Sequence, residues 1–147
     1  MARRFAAKKY KPYRAANAAA LKYKACYRCD SCGMQYPKAP ANCRAKGCGS
    51  IAFEFFHSTA EANRWAVLLL LKERGLLTDL TRQVRYKLNT TTPDGHIITV
   101  GHLIPDFEYR RDGVLITEDT KGGETDLSAW KHRHFKAQYG REILLTK

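Results

Sequence analysis

A chain of 147 residues has room for one full-sized core and one small module, and not for two large domains, because domains usually run to roughly 100 to 150 residues. Its 26 Lys and Arg against 14 Asp and Glu give a formal charge of +12, which favours a polyanionic partner through phosphate contacts and counterion release, nucleic acid ahead of an anionic membrane surface. The longest apolar run, Ala66–Leu71, falls far short of the ~20 residues of a transmembrane helix, and no apolar h-region accompanies the N-terminal basic residues, so an intracellular protein without a signal peptide is expected.

Residues 1–25 read as a basic tail. From Met1 to Arg28 the chain carries nine basic residues, Arg3, Arg4, Lys8, Lys9, Lys11, Arg14, Lys22, Lys24 and Arg28, and no acidic ones. Aromatic residues are interleaved with them at Phe5, Tyr10, Tyr13, Tyr23 and Tyr27. Met1 to His57 holds 12 basic and 2 acidic residues, whereas Ser58 to Lys147 holds 14 and 12, so the charge is concentrated at the N-terminus. These nine side chains are the expected nucleic-acid contacts; a merely solvating terminus is the alternative. Residues 15–24 predict a short helix.

Residues 26–57 contain all five cysteines. Cys29 and Cys32 stand in a C-x-x-C-G knuckle, where a turn lets two thiolates reach one metal, and Cys43 and Cys48 supply a second pair. With so little apolar material between them, a metal has to replace a core, and a structural, zinc-ribbon-like Zn2+ site is expected. Cys26 is the odd one out and is an alternative to Cys29; His57 is a further possible ligand. A redox pair is disfavoured because neither cysteine pair has a βαβ context.

Residues 58–147 predict a compact α/β domain. Ser58 and Glu61 fit a capping box opening a helix with Ala62, Trp65, Leu68, Leu69 and Lys72 at helical spacing, closed by Gly75. Three strands are expected next: Gln83–Leu88, His96–Ile104, and Phe107 or Val114 onward to Asp119, punctuated by turns at 92–95 and 111–113. A second helix, from an N-cap at Asp126 to Tyr139, ends at Gly140, and a last strand covers Glu142–Leu145. The predicted order is αβββαβ.

Two segments carry the chemistry: Ile104-Pro105-Asp106-Phe107 and Glu118-Asp119-Thr120-Lys121. Strand alternation puts Asp119 and Lys121 on one face and Glu118 on the other, so Asp119 is the acid able to work beside Lys121. A hairpin between the segments gathers Asp106, Asp119 and Lys121 at one sheet end. Carboxylates there suit Mg2+ or Mn2+, with the Thr120 carbonyl as a further ligand and Glu61 as the third carboxylate. Lys121 would orient or help deprotonate the attacking water. Each has a plainer reading: capping for Glu61, turn chemistry for Asp106, an exposed ion pair for Asp119 and Lys121. Gln83 and His102 have no assigned role. On the second helix, Trp130 is expected in the core, and His132, Arg133, His134 and Lys136 are placed to track a DNA backbone.

Pro105-Asp106, then Asp119-Thr120-Lys121, preceded by a helical Glu61 in αβββαβ order, resemble the PD-(D/E)xK nuclease superfamily. More narrowly they resemble small phage enzymes similar to endonuclease I and archaeal-type Holliday junction resolvases. The resemblance covers residues 58–147 and leaves the cysteine segment outside. It implies a restriction-endonuclease-like core with a mixed sheet and a divalent-metal-dependent DNA endonuclease with Glu61, Asp106, Asp119 and Lys121 as its active site. It also implies branched DNA as substrate, a homodimer cutting two strands symmetrically, and a phage gene expressed in a prokaryotic cytoplasm. A mismatch- or site-specific nicking nuclease keeps the same chemistry, and a non-catalytic zinc-containing DNA-binding protein is the reading from another class.

Overall fold

The computed structural model describes residues 24–120 and 123–147. The expected helix at 15–24, the basic side chains from Arg3 to Lys22, and Lys121 therefore lie outside the described residues, apart from Lys24 itself. Among the described residues the chain is a mixed α/β protein, mostly strand, with two helices.

A three-stranded antiparallel sheet opens it: β1 (Cys26–Cys29), β2 (Gln35–Tyr36) and β3 (Phe53–Phe56), in the order β2-β1-β3. Helix α1 (Thr59–Glu73) follows at once, and Ser58 caps it by accepting the Glu61 N–H at 3.0 Å. The expected capping box is only half made. The Glu61 carboxylate takes the main-chain N–H of His57 instead, at 3.1 Å.

The main sheet has the order β4-β7-β8-β9, from β4 (Thr78–Arg82), β7 (Phe107–Arg111), β8 (Val114–Thr120) and β9 (Ile143–Thr146). Strands β4, β7 and β8 are antiparallel neighbours, whereas β9 runs parallel to β8. Parallel neighbours need a crossover, supplied by α2 (Asp126–Tyr139). The N-cap of α2 is Thr125 rather than Asp126, because Thr125 and Ser128 form a reciprocal capping box that Asp126 is one residue too late to make.

The structure corrects the strand assignments. Gln83 does not open a strand: it has φ of 52° and separates β4, which the alternation missed, from β5 (Tyr86–Thr91). Thr78–Arg82 escapes a period-two reading because Asp79, at φ 53°, sits in an irregularity of the β4–β7 register. Strands β5 and β6 (Ile97–Leu103) pair only with each other, as a hairpin outside the main sheet. The segment after Asp106 is two strands joined by Asp112 and Gly113, both at positive φ as a tight hairpin turn requires.

Two clusters hold these parts together. Cys26 and Phe56 from the cysteine module share a core with Ala62, Trp65 and Leu68 of α1 and with Leu77, Leu80, Phe107 and Tyr109, so module and main sheet are packed as neighbours. A smaller cluster of Leu88, Leu103 and Phe135 docks the hairpin on α2. Trp130, expected in the core, is 38 % exposed; Phe135 is the α2 side chain that is buried.

Glu118, fully buried on β8, faces α1 and is saturated there. Arg64 grips it in a bidentate pair at 2.5 and 2.9 Å, while Tyr109 and Thr146 donate hydroxyls at 2.7 and 3.0 Å. Burial, followed by the Glu118 carboxylate, pushes the Tyr109 phenol up to about 12. Removing one partner of a buried ion pair strands the other, which typically costs about 3–5 kcal/mol. Arg64→Met is therefore expected to lower the unfolding free energy measured by urea titration by that amount, and Glu118→Gln added to it is expected to restore part of the loss.

Candidate functional site

The cysteine module brings four sulfurs together. Cys29, Cys32, Cys43 and Cys48 have ligand atoms all within 4.8 Å of one another, with Cys29 to Cys48 at 3.7 Å and Cys32 to Cys43 at 3.5 Å. A tetrahedron with Zn–S bonds of about 2.3 Å has edges of about 3.8 Å, so the tetrad is compatible with a structural zinc ion. Local backbone sets this up: Gly33, at φ 77°, turns the first knuckle and returns its N–H to the Cys29 carbonyl at 2.9 Å. Main-chain N–H groups, first that of Cys32, lower the Cys29 thiol to about 6, and the Tyr36 hydroxyl leads the lowering of Cys43. Cys32 and Cys48 also receive main-chain N–H groups, from Met34 and Ser50, yet both are raised, Cys32 by the Cys43 thiol and then burial, Cys48 by burial and then its neighbouring thiols.

Cys26 is no ligand. It is 2 % exposed in the shared apolar core, with its thiol near Gln35 and the Ser58 carbonyl, and burial raises its value first. His57 is likewise outside the tetrad: its ring faces Gln83 at 3.3 Å and stacks edge-on with Phe55. Arg28, expected to meet nucleic acid, is turned inward. Its side chain is 12 % exposed and lies 3.9 Å from Glu54, so it is spent on the module. Lys24 remains exposed.

The second constellation lies where β7 begins and β8 ends. Asp106 follows the buried Pro105; its carbonyl accepts from the Gln83 N–H at 3.1 Å and its Oδ2 from the Thr120 N–H at 2.7 Å. Thr120 thus contributes its amide to the site. Asp119, 6 % exposed, lies close to Asp106, and the Asp106 carboxyl is pushed up to about 7 by burial, then by the charges of Asp119 and Glu61. Glu61, buried at the first turn of α1, keeps Oε1 without a hydrogen bond, although the Arg82 guanidinium stands 3.5 Å away. Among the described residues the cysteine tetrad is the one set of three or more His, Cys, Asp or Glu ligand atoms drawn together compactly enough to hold a metal ion.

A cleft of about 480 Å³ opens beside Asp119, lined by His102, Leu103, Ile104, Thr125, Ser128 and Lys131 among others. The basic face expected on α2 divides. His134 accepts a structural role through a 2.7 Å contact with the Asn89 carbonyl, and Lys136 pairs with Glu142. His132 turns inward, with Nε2 3.3 Å from Asp119 Oδ2 and Nδ1 3.1 Å from Glu124. Its spacing from the buried Phe135, three residues on, is the sequence signal that it faces the sheet rather than solvent. Arg82 had no such signal, because it lies on the strand that alternation missed.

Fold and site together define a mixed α/β protein with a cysteine tetrad in its small three-stranded module and a carboxylate cluster at one end of its main sheet. The chain belongs to the family described as protein of unknown function DUF1064, which it matches over residues 44–146. That span takes in Glu61, Asp106, Asp119 and Cys48, and leaves Cys29, Cys32 and Cys43 outside it. No curated protein and no solved structure matches the chain. Among the described residues no helix is long and apolar enough to cross a membrane.

Proposed function

We propose that this protein is a divalent-metal-dependent DNA endonuclease of the PD-(D/E)xK type, with a zinc-stapled, zinc-ribbon-like module packed against its catalytic core. The observation that carries the reading is the Asp106–Asp119 pair, a half-buried and a buried carboxylate close together at one sheet end, with Glu61 in electrostatic reach. Omitting the β5–β6 hairpin, the order α1, β4, β7, β8, α2, β9 is αβββαβ, in keeping with that superfamily. Like charges so placed repel, and a hard cation is the natural remedy.

Glu61, Asp106 and Asp119 would hold Mg2+ or Mn2+, with the Thr120 carbonyl as a main-chain ligand. A bound divalent ion supplies charge neutralisation at the scissile phosphate and a more acidic attacking water. Lys121 would orient that water. As the water oxygen adds to phosphorus it would give up a proton to solvent, the P–O bond to the leaving sugar would break, and the leaving oxygen would take up a proton from solvent. The net charge of +12 supports a nucleic-acid substrate gripped by phosphate contacts that read no sequence. Branched DNA cut by a homodimer is the preferred substrate; a nicking nuclease for mismatches or fixed sites differs only in target.

The test is a cleavage panel of four-way junction, flap, mismatched and linear duplex DNA with Mg2+ or Mn2+. Junction cleavage that EDTA stops is expected. DNA binding without hydrolysis of any substrate would leave a non-catalytic zinc-containing DNA-binding protein in its place.

A further inference from the structure

Helix α2 places an imidazole against the carboxylates. His132 is 11 % exposed and lies between Glu124 and Asp119. Its Nδ1 is hydrogen-bonded to Glu124 Oε1 at 3.1 Å. Its Nε2 is buried 3.3 Å from Asp119 Oδ2, yet makes no hydrogen bond to it or to any other described group.

A ring N–H has to point at its acceptor, so an imidazolium bridging the two carboxylates would aim Nε2–H at Asp119. The ring is not so aimed. Two donor atoms side by side but not directed at each other is how neighbouring ligands of one cation stand; with metal–ligand bonds of about 2.1 Å at right angles they are about 3.0 Å apart. Glu124, accepting from Nδ1–H, fixes the tautomer that leaves the lone pair on Nε2, the carboxylate–histidine–metal arrangement.

We propose that His132 is a metal ligand: its Nε2, oriented by Glu124, joins Asp119 in holding the divalent cation and makes the centre a mixed nitrogen–oxygen site that selects Mn2+ over Mg2+. This rests on Asp119 being a metal ligand, as proposed above. Imidazole suits first-row transition ions, whereas Mg2+ favours oxygen and water, so one nitrogen tilts the choice without altering the carboxylates. Glu124 is a positioning residue, acting through the ring.

The test uses the full chain with its cysteine site zinc-loaded, titrated with Mn2+ and separately with Mg2+ by calorimetry, with pulsed electron paramagnetic resonance of the Mn2+ form. Wild type is expected to bind Mn2+ at least tenfold more tightly than Mg2+ and to show modulation from an imidazole nitrogen. His132→Ala is expected to lose that modulation and at least tenfold in Mn2+ affinity, with Mg2+ affinity changed less than threefold. Glu124→Gln is expected to weaken Mn2+ about tenfold, in the range usual for a residue that orients a ligating histidine. His132→Gln replaces the Ala variant if circular dichroism shows the latter unfolded. Mn2+ bound without nitrogen modulation and with unchanged affinity in the His132 variant, but lost in Asp119→Asn, overturns the inference and leaves the carboxylate site standing. Absence of both Mn2+ and Mg2+ binding at millimolar concentration sinks the carboxylate site and the inference with it.

Discussion

Asp106→Asn is expected to abolish DNA cleavage, by a thousandfold or more, while leaving a folded protein that resists urea better than wild type at pH 8. The two effects share one cause. Asp106 is held near a value of about 7, up from an ordinary 3.8, by burial and by the charges of Asp119 and Glu61. The folded chain therefore keeps a proton there that the unfolded chain has already released. Stability is unpenalised below about pH 4, falls as the pH rises from about 4 to about 7, and stays reduced above that. The steepest slope one group can impose is about 1.4 kcal/mol per pH unit. Asparagine removes the charge but keeps an oxygen to accept the Thr120 N–H, so the slope should vanish while the β7–β8 junction holds. Urea midpoints from pH 4.5 to 8 for both proteins measure this. Added Mg2+ or Mn2+ should flatten the wild-type profile and leave that of the variant unchanged. A variant that cleaves like wild type, or a wild-type profile rising with pH over this window, would remove Asp106 from the site.

Stripping zinc from the tetrad, or replacing Cys29 with Ser, is expected to destabilise the protein well beyond the cysteine module. The sequence places the module outside the nuclease-like segment, and from that boundary its loss would spare residues 58–147. The structure argues for wider damage, because Cys26 and Phe56 share a core with Ala62, Trp65 and Leu68. Glu54 accepts from the Trp65 indole at 3.0 Å, and Arg82 lies over the Phe56 ring at 3.8 Å while facing Glu61. Structural zinc supplies about 10 kcal/mol or more of apparent binding energy in small zinc modules, comparable with the whole stability of an ordinary domain. Chelation at pH 7 should lower the thermal midpoint of a single transition seen by both far-UV circular dichroism and tryptophan fluorescence in a Trp130→Phe background, where Trp65 is the one remaining tryptophan. Two separated transitions, with the tryptophan signal unmoved, would mean that module and core unfold independently.

The expected effects differ in how far each was visible along the chain. The cysteine spacing, the helix from Ser58 and the second helix ending at Gly140 follow from contacts within a few residues, and they stand where local chemistry puts them. Strand alternation also separates Glu118 from Asp119, and the two face opposite sides of the sheet. The strands are less legible. Asp79 and Gln83 break the period-two pattern with positive φ, which hides β4 from alternation and displaces the apparent start of β5. Whether β5 and β6 join the main sheet or stand apart depends on packing against Phe135, some forty residues away.

By itself the amino-acid sequence determined the four-cysteine cluster, the boundaries of α1 and α2 to within a residue or so, and the position of Asp106 and Asp119 at strand ends, because each depends on neighbours that the chain's own periodicity brings together. Only the tertiary structure decided which acid is neutralised and which is left to strain against its fellows: Arg64 reaches Glu118 across 54 positions, while Asp106 meets Asp119 and Glu61 without a cationic side chain of its own among the described contacts. It also decided that His132 turns toward Asp119 and that the cysteine module shares the core of α1. Such pairings are set by which surfaces bury one another, and burial is a property of the packed molecule rather than of any short stretch of chain.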